Sequence, residues 1–138
     1  MTDGILIGID AGTSVIKAIA FTAAGEQIAS AAIANSYETL DNGGVEQDMA
    51  RTWVDAAAAL KQLTGKIPNL AARVIAIAVT GQGDGTWLID ANHQPVRPAI
   101  LWLDGRSADF VRQGQQNGLS DELFRITGTA LNLSLIHI

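Results

Sequence analysis

Three short clusters in this 138-residue chain carry residue types that could do chemistry. The first is Asp10-Ala11-Gly12-Thr13-Ser14, with Lys17 three residues further on. A carboxylate at the end of a buried strand can hold Mg²⁺, directly or through water. Glycine lets the backbone approach a phosphate closely. Thr13 and Ser14 add hydroxyl and N–H groups, and Lys17 adds a positive charge. The set suits phosphate chemistry. It equally suits an ordinary hairpin, with Asp and Gly as turn formers and a solvated Lys, because short motifs often match by chance. No Gly-x-x-x-x-Gly-Lys-[Ser/Thr] pattern occurs, which argues against a P-loop enzyme.

The second cluster is Gly81-Gln82-Gly83-Asp84-Gly85. It follows an apolar run, at the strand end where α/β sheets usually bind ligands. Its glycines clear space, and Gln82 and Asp84 can hydrogen-bond to hydroxyls, as a polyol site requires. A Gly-rich loop without a ligand is the competing reading. The third cluster is Trp102-Leu103-Asp104-Gly105-Arg106. Trp102 can pack against the carbon chain of a sugar, while Asp104 and Arg106 read best as bracing for the loop. Trp53 reads as a core residue and Trp87 as core or site. His93 and His137 are isolated and offer no metal cluster or triad.

The elements that must position these clusters are legible from pattern. Residues 5–9 form a nearly continuous apolar run, which predicts a strand buried on both faces. Residues 15–21 and 27–33 predict two more strands, and tight turns between them give a three-stranded antiparallel meander. Residues 35–45 read as a loop. Asp48 is a candidate N-cap for a helix over 49–63. Met49, Trp53, Ala56, Ala57, Leu60 and Leu63 give it one apolar face. Gly65 closes that helix and Pro68 prevents its resumption. Residues 74–79 predict a strand parallel to the first, since a crossover helix precedes it. A short strand over 86–90, a turn at 91–94, an apolar segment at 98–102 and helices over 107–116 and 121–126 complete the pattern. The fold class is α/β with a mixed sheet. It is not a Rossmann order, where a helix would follow the first strand.

Composition narrows the function. The chain is 48% hydrophobic and 17% charged, a globular mixture able to bury a core. Its net charge of −5 and lack of a basic stripe make nucleic acid a poor partner. A nucleotide remains compatible, because backbone N–H groups, a metal and one or two cations can hold phosphates. No cysteine is present, so disulfides, thiolate nucleophiles and Cys-ligated zinc are excluded. The absence of a basic segment before residues 5–9 and of a long apolar stretch leads to the expectation of a cytoplasmic protein without membrane contact.

Taken in order and spacing, the clusters resemble the N-terminal domain of the FGGY carbohydrate kinases. The matching stretches are Ile7 to Ser14, Gly44 to Asp48 with Trp53, Ala76 to Gly85, Pro98 to Arg106, and Thr127-Gly128-Thr129. They cover residues 5 to about 132. The resemblance implies a partial actin-like ATPase domain of the ribonuclease H-like fold, which acts with ATP and Mg²⁺. Asp10 would position the metal with the phosphates. Gly12, Thr13, Ser14 and Lys17 would contact the nucleotide. Gln82, Gly83, Asp84 and Trp102 would bind the substrate, and Gly83, where relatives carry a side chain, implies a differently shaped pocket. The expected reaction phosphorylates a primary hydroxyl of a small polyol or ketose, erythritol-like or L-xylulose-like.

The family's catalytic Asp and second domain are expected beyond residue 138, so residues 1–138 should be a partial N-terminal domain without kinase activity of its own. Residues 133–138 do not read as the family's continuation. Homo-oligomerisation of the full-length protein stays open. Two alternatives compete: a non-catalytic nucleotide- or partner-binding module of the same fold, and a ribonuclease H-like nuclease. The nuclease would need several acidic residues converging on metals. Asp10 alone fits that poorly.

Overall fold

The computed structural model describes residues 4–133. His137 and all of the atypical stretch 133–138 but Leu133 lie outside the described residues. Along the chain run β1 (Ile5–Ala11), β2 (Val15–Thr22), β3 (Gln27–Ala34), β4 (Glu38–Thr39), β5 (Val45–Gln47), α1 (Met49–Thr64), α2 (Leu70–Arg73), β6 (Val74–Gly81), β7 (Ala99–Ile100), α3 (Ala108–Gln116) and α4 (Leu119–Thr127). They fall into two units. One holds the chain to Ser36 with Ala50–Gln82, and the other holds Tyr37–Met49 with the chain from Gly83 on.

The first unit is built on a four-stranded sheet of order β3-β2-β1-β6. β1–β2 and β2–β3 are antiparallel, and β6 runs parallel to β1. The meander and the parallel crossover strand stand as the sequence predicts. Alternation explains the packing. Ile5 and Ile7 of β1 and Ile16, Ala18 and Ala20 of β2 turn into one core with Ala59 and Leu63 of α1. Small side chains at 18, 20, 31 and 59 let the helix lie close to the sheet. Full burial of Ile5, Ile16 or Leu63 contributes about 2 kcal/mol each.

One expectation fails here. Trp53 is not core; it is 76% exposed. The buried line of α1 runs through Asp55, Ala59 and Leu63. At about 100° per residue, Trp53 lies roughly 120° around the helix from Ala59. Ala56, Leu60 and Leu63 pack on the core as expected, but the line of closest packing runs through Ala59, small enough to meet the sheet, and leaves Trp53 outside. A second difference is α2, a single turn entered through Asn69 in the left-handed region at φ 55°. β6 is the sheet's outer strand among the described residues, and Ile75, Ile77 and Val79 are exposed on it.

The second unit holds a small antiparallel sheet of order β4-β5-β7. Val45, Ala99 and Leu101 form its core, with Met49 and Trp87 packed against them. The stretch 35–45 is therefore not all loop, since β4 and the start of β5 fall within it. Residues 86–90 form no strand. They make two isolated bridges, Thr86 with Ile100 and Ile89 with Pro95. Between those runs the expected turn, closed by the Asp90 carboxylate accepting from the Asn92 and Gln94 N–H groups at 2.8 Å each. α4 begins at Leu119, two residues ahead of expectation, because Gly118 at φ 83° turns the chain directly out of α3.

Candidate functional site

In the first unit the candidate phosphate residues gather at the β1–β2 tip. Asp10 pairs with Lys17 across the antiparallel ladder and with Thr80 across the parallel one. Directly opposite residues in an antiparallel pair have Cβ atoms about 5 Å apart on one face of the sheet. Carboxylate, ammonium and hydroxyl thus form one polar row across three strands. Asp10 and Lys17 are exposed, on the face opposite Ile7 and Ile9. Asp10 and Thr80 also line an open groove of about 270 Å³, whose walls include Ile19, Phe21 and Ala78.

Gly12, Thr13 and Ser14 make the tip between the strands. A Cβ on Gly12 would sit 2.9 Å from the Val15 carbonyl oxygen, so only glycine fits this turn without a shift. Asn35 holds the tip in place. Its side-chain amide donates to the Gly12 carbonyl at 2.9 Å, and its backbone N–H donates to the Ser14 carbonyl at 2.9 Å. Sequence reading missed Asn35 because it follows β3, remote in the chain from the tip. It missed Thr80 because its value lies in register with Asp10. Gln82 closes the first unit, one residue past β6.

The tip residues fit a Mg²⁺-nucleotide. One hard oxygen donor, Asp10, stands near the end of β1 opposite Lys17, and Gly12 carries no side chain beside that carboxylate. Mg²⁺ is commonly held by one or two carboxylates, with phosphates and water supplying the rest. Among the described residues no group of three or more His, Asp or Glu converges as an all-protein metal cage would.

In the second unit the loop that carries Gly83 and Asp84 meets the backbone of Trp102 through Gly85. Gly85 adopts φ 101°, and a Cβ there would lie 2.5 Å from the Ile100 carbonyl oxygen. The loop after Gly83 therefore lies directly on the 100–102 backbone. The Thr86–Ile100 bridge fixes that contact with two hydrogen bonds of 2.8 and 3.0 Å. Gly83 itself has open space around its Cβ position. Trp87, left open by the sequence, packs into the core, and its indole Nε1 and the Thr86 hydroxyl oxygen are buried without a hydrogen-bond partner among the described residues.

Trp102 projects from a turn whose ends are sunk in the protein. Leu101 and Asp104 are fully buried, while Trp102 is 48% exposed. The Asp104 N–H donates to the Leu101 carbonyl at 3.0 Å and closes the turn. Both ends hold the same residue of β5. Leu101 N–H donates to the Val45 carbonyl at 3.0 Å, and Val45 N–H donates to Asp104 Oδ2 at 2.8 Å. Arg106 completes the set: its Nη2 lies 2.6 Å from Asp104 Oδ2 and 2.9 Å from Glu46 Oε1. Burial alone would raise the Asp104 carboxyl. Hydrogen bonds from Arg106 and from the Val45 N–H, with the guanidinium charge, hold it at about 2. The bracing expected of Asp104 and Arg106 is what they do.

Residues 5–134 match the model of the FGGY family of carbohydrate kinases, N-terminal domain. The chain belongs to that family. It is 53% identical over 128 residues to an erythritol kinase of Brucella abortus (strain 2308), covering 93% of this chain and 25% of that protein. It is 28% identical over 125 residues to an L-xylulose/3-keto-L-gulonate kinase of Escherichia coli (strain K12), covering 91% and 25%. The chain thus spans about a quarter of the length of these curated relatives. Among solved structures, a xylulose kinase from Rhodospirillum rubrum superposes with a TM-score of 0.77 at 28% identity, covering 87% of this chain and 25% of that one. A glycerol kinase from Plasmodium falciparum with ADP superposes with a TM-score of 0.77 at 20% identity, covering 94% and 26%. The fold is the mixed α/β, actin-like fold of the FGGY sugar kinases.

Proposed function

We propose that the protein carrying these residues transfers a phosphoryl group from ATP to a primary hydroxyl of a small polyol or ketose, with an erythritol-like substrate first and an L-xylulose-like one second. Residues 1–138 are read as the opening part of its N-terminal domain. The observation that carries the proposal is the seating of the Asp84 loop on the Trp102 turn through Gly85. It lays the backbone next to Asp84 on the Ile100–Trp102 backbone, so that a carboxylate and an exposed aromatic side chain would serve one site, as a polyol needs. The 53% identity to an erythritol kinase, over a stretch that includes this loop, supports the choice of an erythritol-like substrate.

ATP would supply the phosphoryl group and Mg²⁺ would neutralise its charge. Phosphoryl transfer depends mainly on positioning and electrostatic stabilisation. Asp10 would orient the metal. Lys17, Thr13 and Ser14 would hold phosphate oxygens, with Gly12 admitting them to the backbone. Gln82 and Asp84 would bind substrate hydroxyls, Gly83 would leave room for them, and Trp102 would cover the carbon chain. The base that accepts the hydroxyl proton is assigned to a carboxylate outside these 138 residues.

The test is a panel of tetritols, pentuloses and glycerol with MgATP, read as ADP release by the complete protein. Erythritol should give the highest kcat/KM. Turnover confined to non-carbohydrate acceptors would overturn the assignment. The 138-residue chain alone should release no ADP above background, and clear turnover by it would show that the base lies within this chain.

A further inference from the structure

The Trp102 turn is held by more charge than a surface turn requires. The Asp104 carboxylate is fully buried and accepts from the Val45 N–H at 2.8 Å, the Arg106 N–H at 3.0 Å and two nitrogens of the Arg106 guanidinium. That guanidinium also reaches Glu46, which a second arginine, Arg97, pairs with as well. Glu46 in turn faces Ile100 across the β5–β7 ladder. Room for the guanidinium comes from Gly44, whose Cβ would lie 3.0 Å from Arg106 Nε. All of these contacts converge on the two backbone segments that flank Trp102, 43–46 and 100–106.

We propose that Arg106, acting through Asp104 and Glu46, is a positioning residue that fixes the attitude of Trp102 towards the polyol. This rests on the reading of Trp102 as the wall of the sugar site. The physical reason is geometric. A turn pinned at only one end can rotate its tip. Here Leu101 and Asp104 both bind Val45, so the tip's orientation follows the Asp104 carboxylate. Only a planar fork with several N–H groups can bind Asp104 and Glu46 together, and a lysine cannot reproduce that geometry. Asp104 without Arg106 would be a buried carboxylate short of donors, and the turn would open to hydrate it.

The experiment is a double-mutant cycle in the complete protein, with KM for erythritol and KM for MgATP measured separately. Arg106→Lys should raise KM for erythritol on the order of tenfold, as small misplacements of a positioning group do. KM for MgATP should stay near its starting value. Trp102→Ala should raise KM for erythritol as well, and adding Arg106→Lys to it should change little more. Additive effects would overturn the proposal, since Arg106 would then act on substrate binding by another route. A parallel shift of both KM values with a fall in thermal midpoint would overturn it too, marking a purely structural role. If Trp102→Ala leaves KM for erythritol unchanged, the sugar-wall reading itself fails, and this proposal with it. Should Arg106→Lys not fold, Glu46→Gln carries the same cycle, because it loosens the guanidinium and leaves the Asp104 contacts in place.

Discussion

In the first unit Asp10, Gly12, Thr13, Ser14 and Lys17 sit within eight consecutive residues. In the second, the Trp102 turn depends on Val45, Glu46, Asp104 and Arg106, and the bond from Val45 to Asp104 spans 59 positions. The hairpin tip is made by local chemistry: two strands, a glycine turn and the ladder that puts Lys17 opposite Asp10. The Trp102 turn is made by tertiary contacts that close only when distant segments meet. A local site should therefore tolerate loss of any one long-range contact, while the turn platform should fail as a unit. Perturbations of the two regions test that difference directly.

The largest effect is expected at Gly85. Gly85→Ala places a Cβ where φ is 101° and the Ile100 carbonyl oxygen is 2.5 Å away. Strained backbone of this kind costs about 3 kcal/mol at the upper end, and the clash adds to it. Urea denaturation followed by near-ultraviolet circular dichroism should show the tryptophan signals of the second unit lost early. If the stability were unchanged, the close seating of the Asp84 loop on the Trp102 turn would be wrong.

Next in size is an acid effect confined to the platform. The Asp104 carboxyl is held at about 2, below its ordinary value of 3.8. A depressed carboxyl contributes stability that is fully present above the unfolded value and is lost as pH falls through the folded one. The window is therefore pH 4 down to pH 2. The contribution is on the order of 2 kcal/mol or less once solvent screening is allowed for. Asp104→Asn should be less stable than the parent at pH 6, and the gap should close as pH falls through that window. A gap that stayed constant with pH would remove the charge from the account.

At the tip the expected loss is smaller. Asn35→Ala removes one side-chain bond to the Gly12 carbonyl and leaves the backbone bond to Ser14. A net loss of about 1 kcal/mol is expected for one such bond. The strands should stay paired, and hydrogen exchange at residues 15–18 should speed up only modestly. Collapse of the whole first sheet would show that this tip, too, depends on one distant contact, and the contrast between the two regions would fall.

The same contrast explains what the sequence could show. The meander, the parallel strand and the order of the three clusters follow from local patterns: apolar runs, Gly turns, and a crossover that fixes strand direction. The Asp10–Lys17 pairing is implied once the hairpin is accepted. On α1 the pattern places Leu60 and Leu63 correctly but puts Trp53 with them, because helical spacing does not say that the closest approach to the sheet is through Ala59. β4 and the first residue of β5 read as loop in the sequence, since strands of two and three residues exist only through their partners. Glu46 stood within a family-like stretch without its role being visible, for nothing local to it shows that Arg106 will arrive. Asn35 was lost for the same reason.

Gly83 separates fold from function most finely, and with the least expected energy. Of the three glycines in the motif, Gly85 is required by its backbone angle, and a Cβ on Gly81 would lie 3.3 Å from the Ala11 carbonyl oxygen. Gly83 meets neither demand, since its Cβ position has open space around it. Nothing in the fold therefore calls for glycine there, and what it provides is the absence of a side chain beside Asp84. Gly83→Ala should change stability by no more than about 0.5 kcal/mol, the usual range for unconstrained positions. Its effect should appear instead in substrate choice, as a higher KM for erythritol with KM for MgATP unchanged. A stable Gly83→Ala protein with the parent's preference across the polyol panel would show that the space beside Asp84 lies outside the pocket.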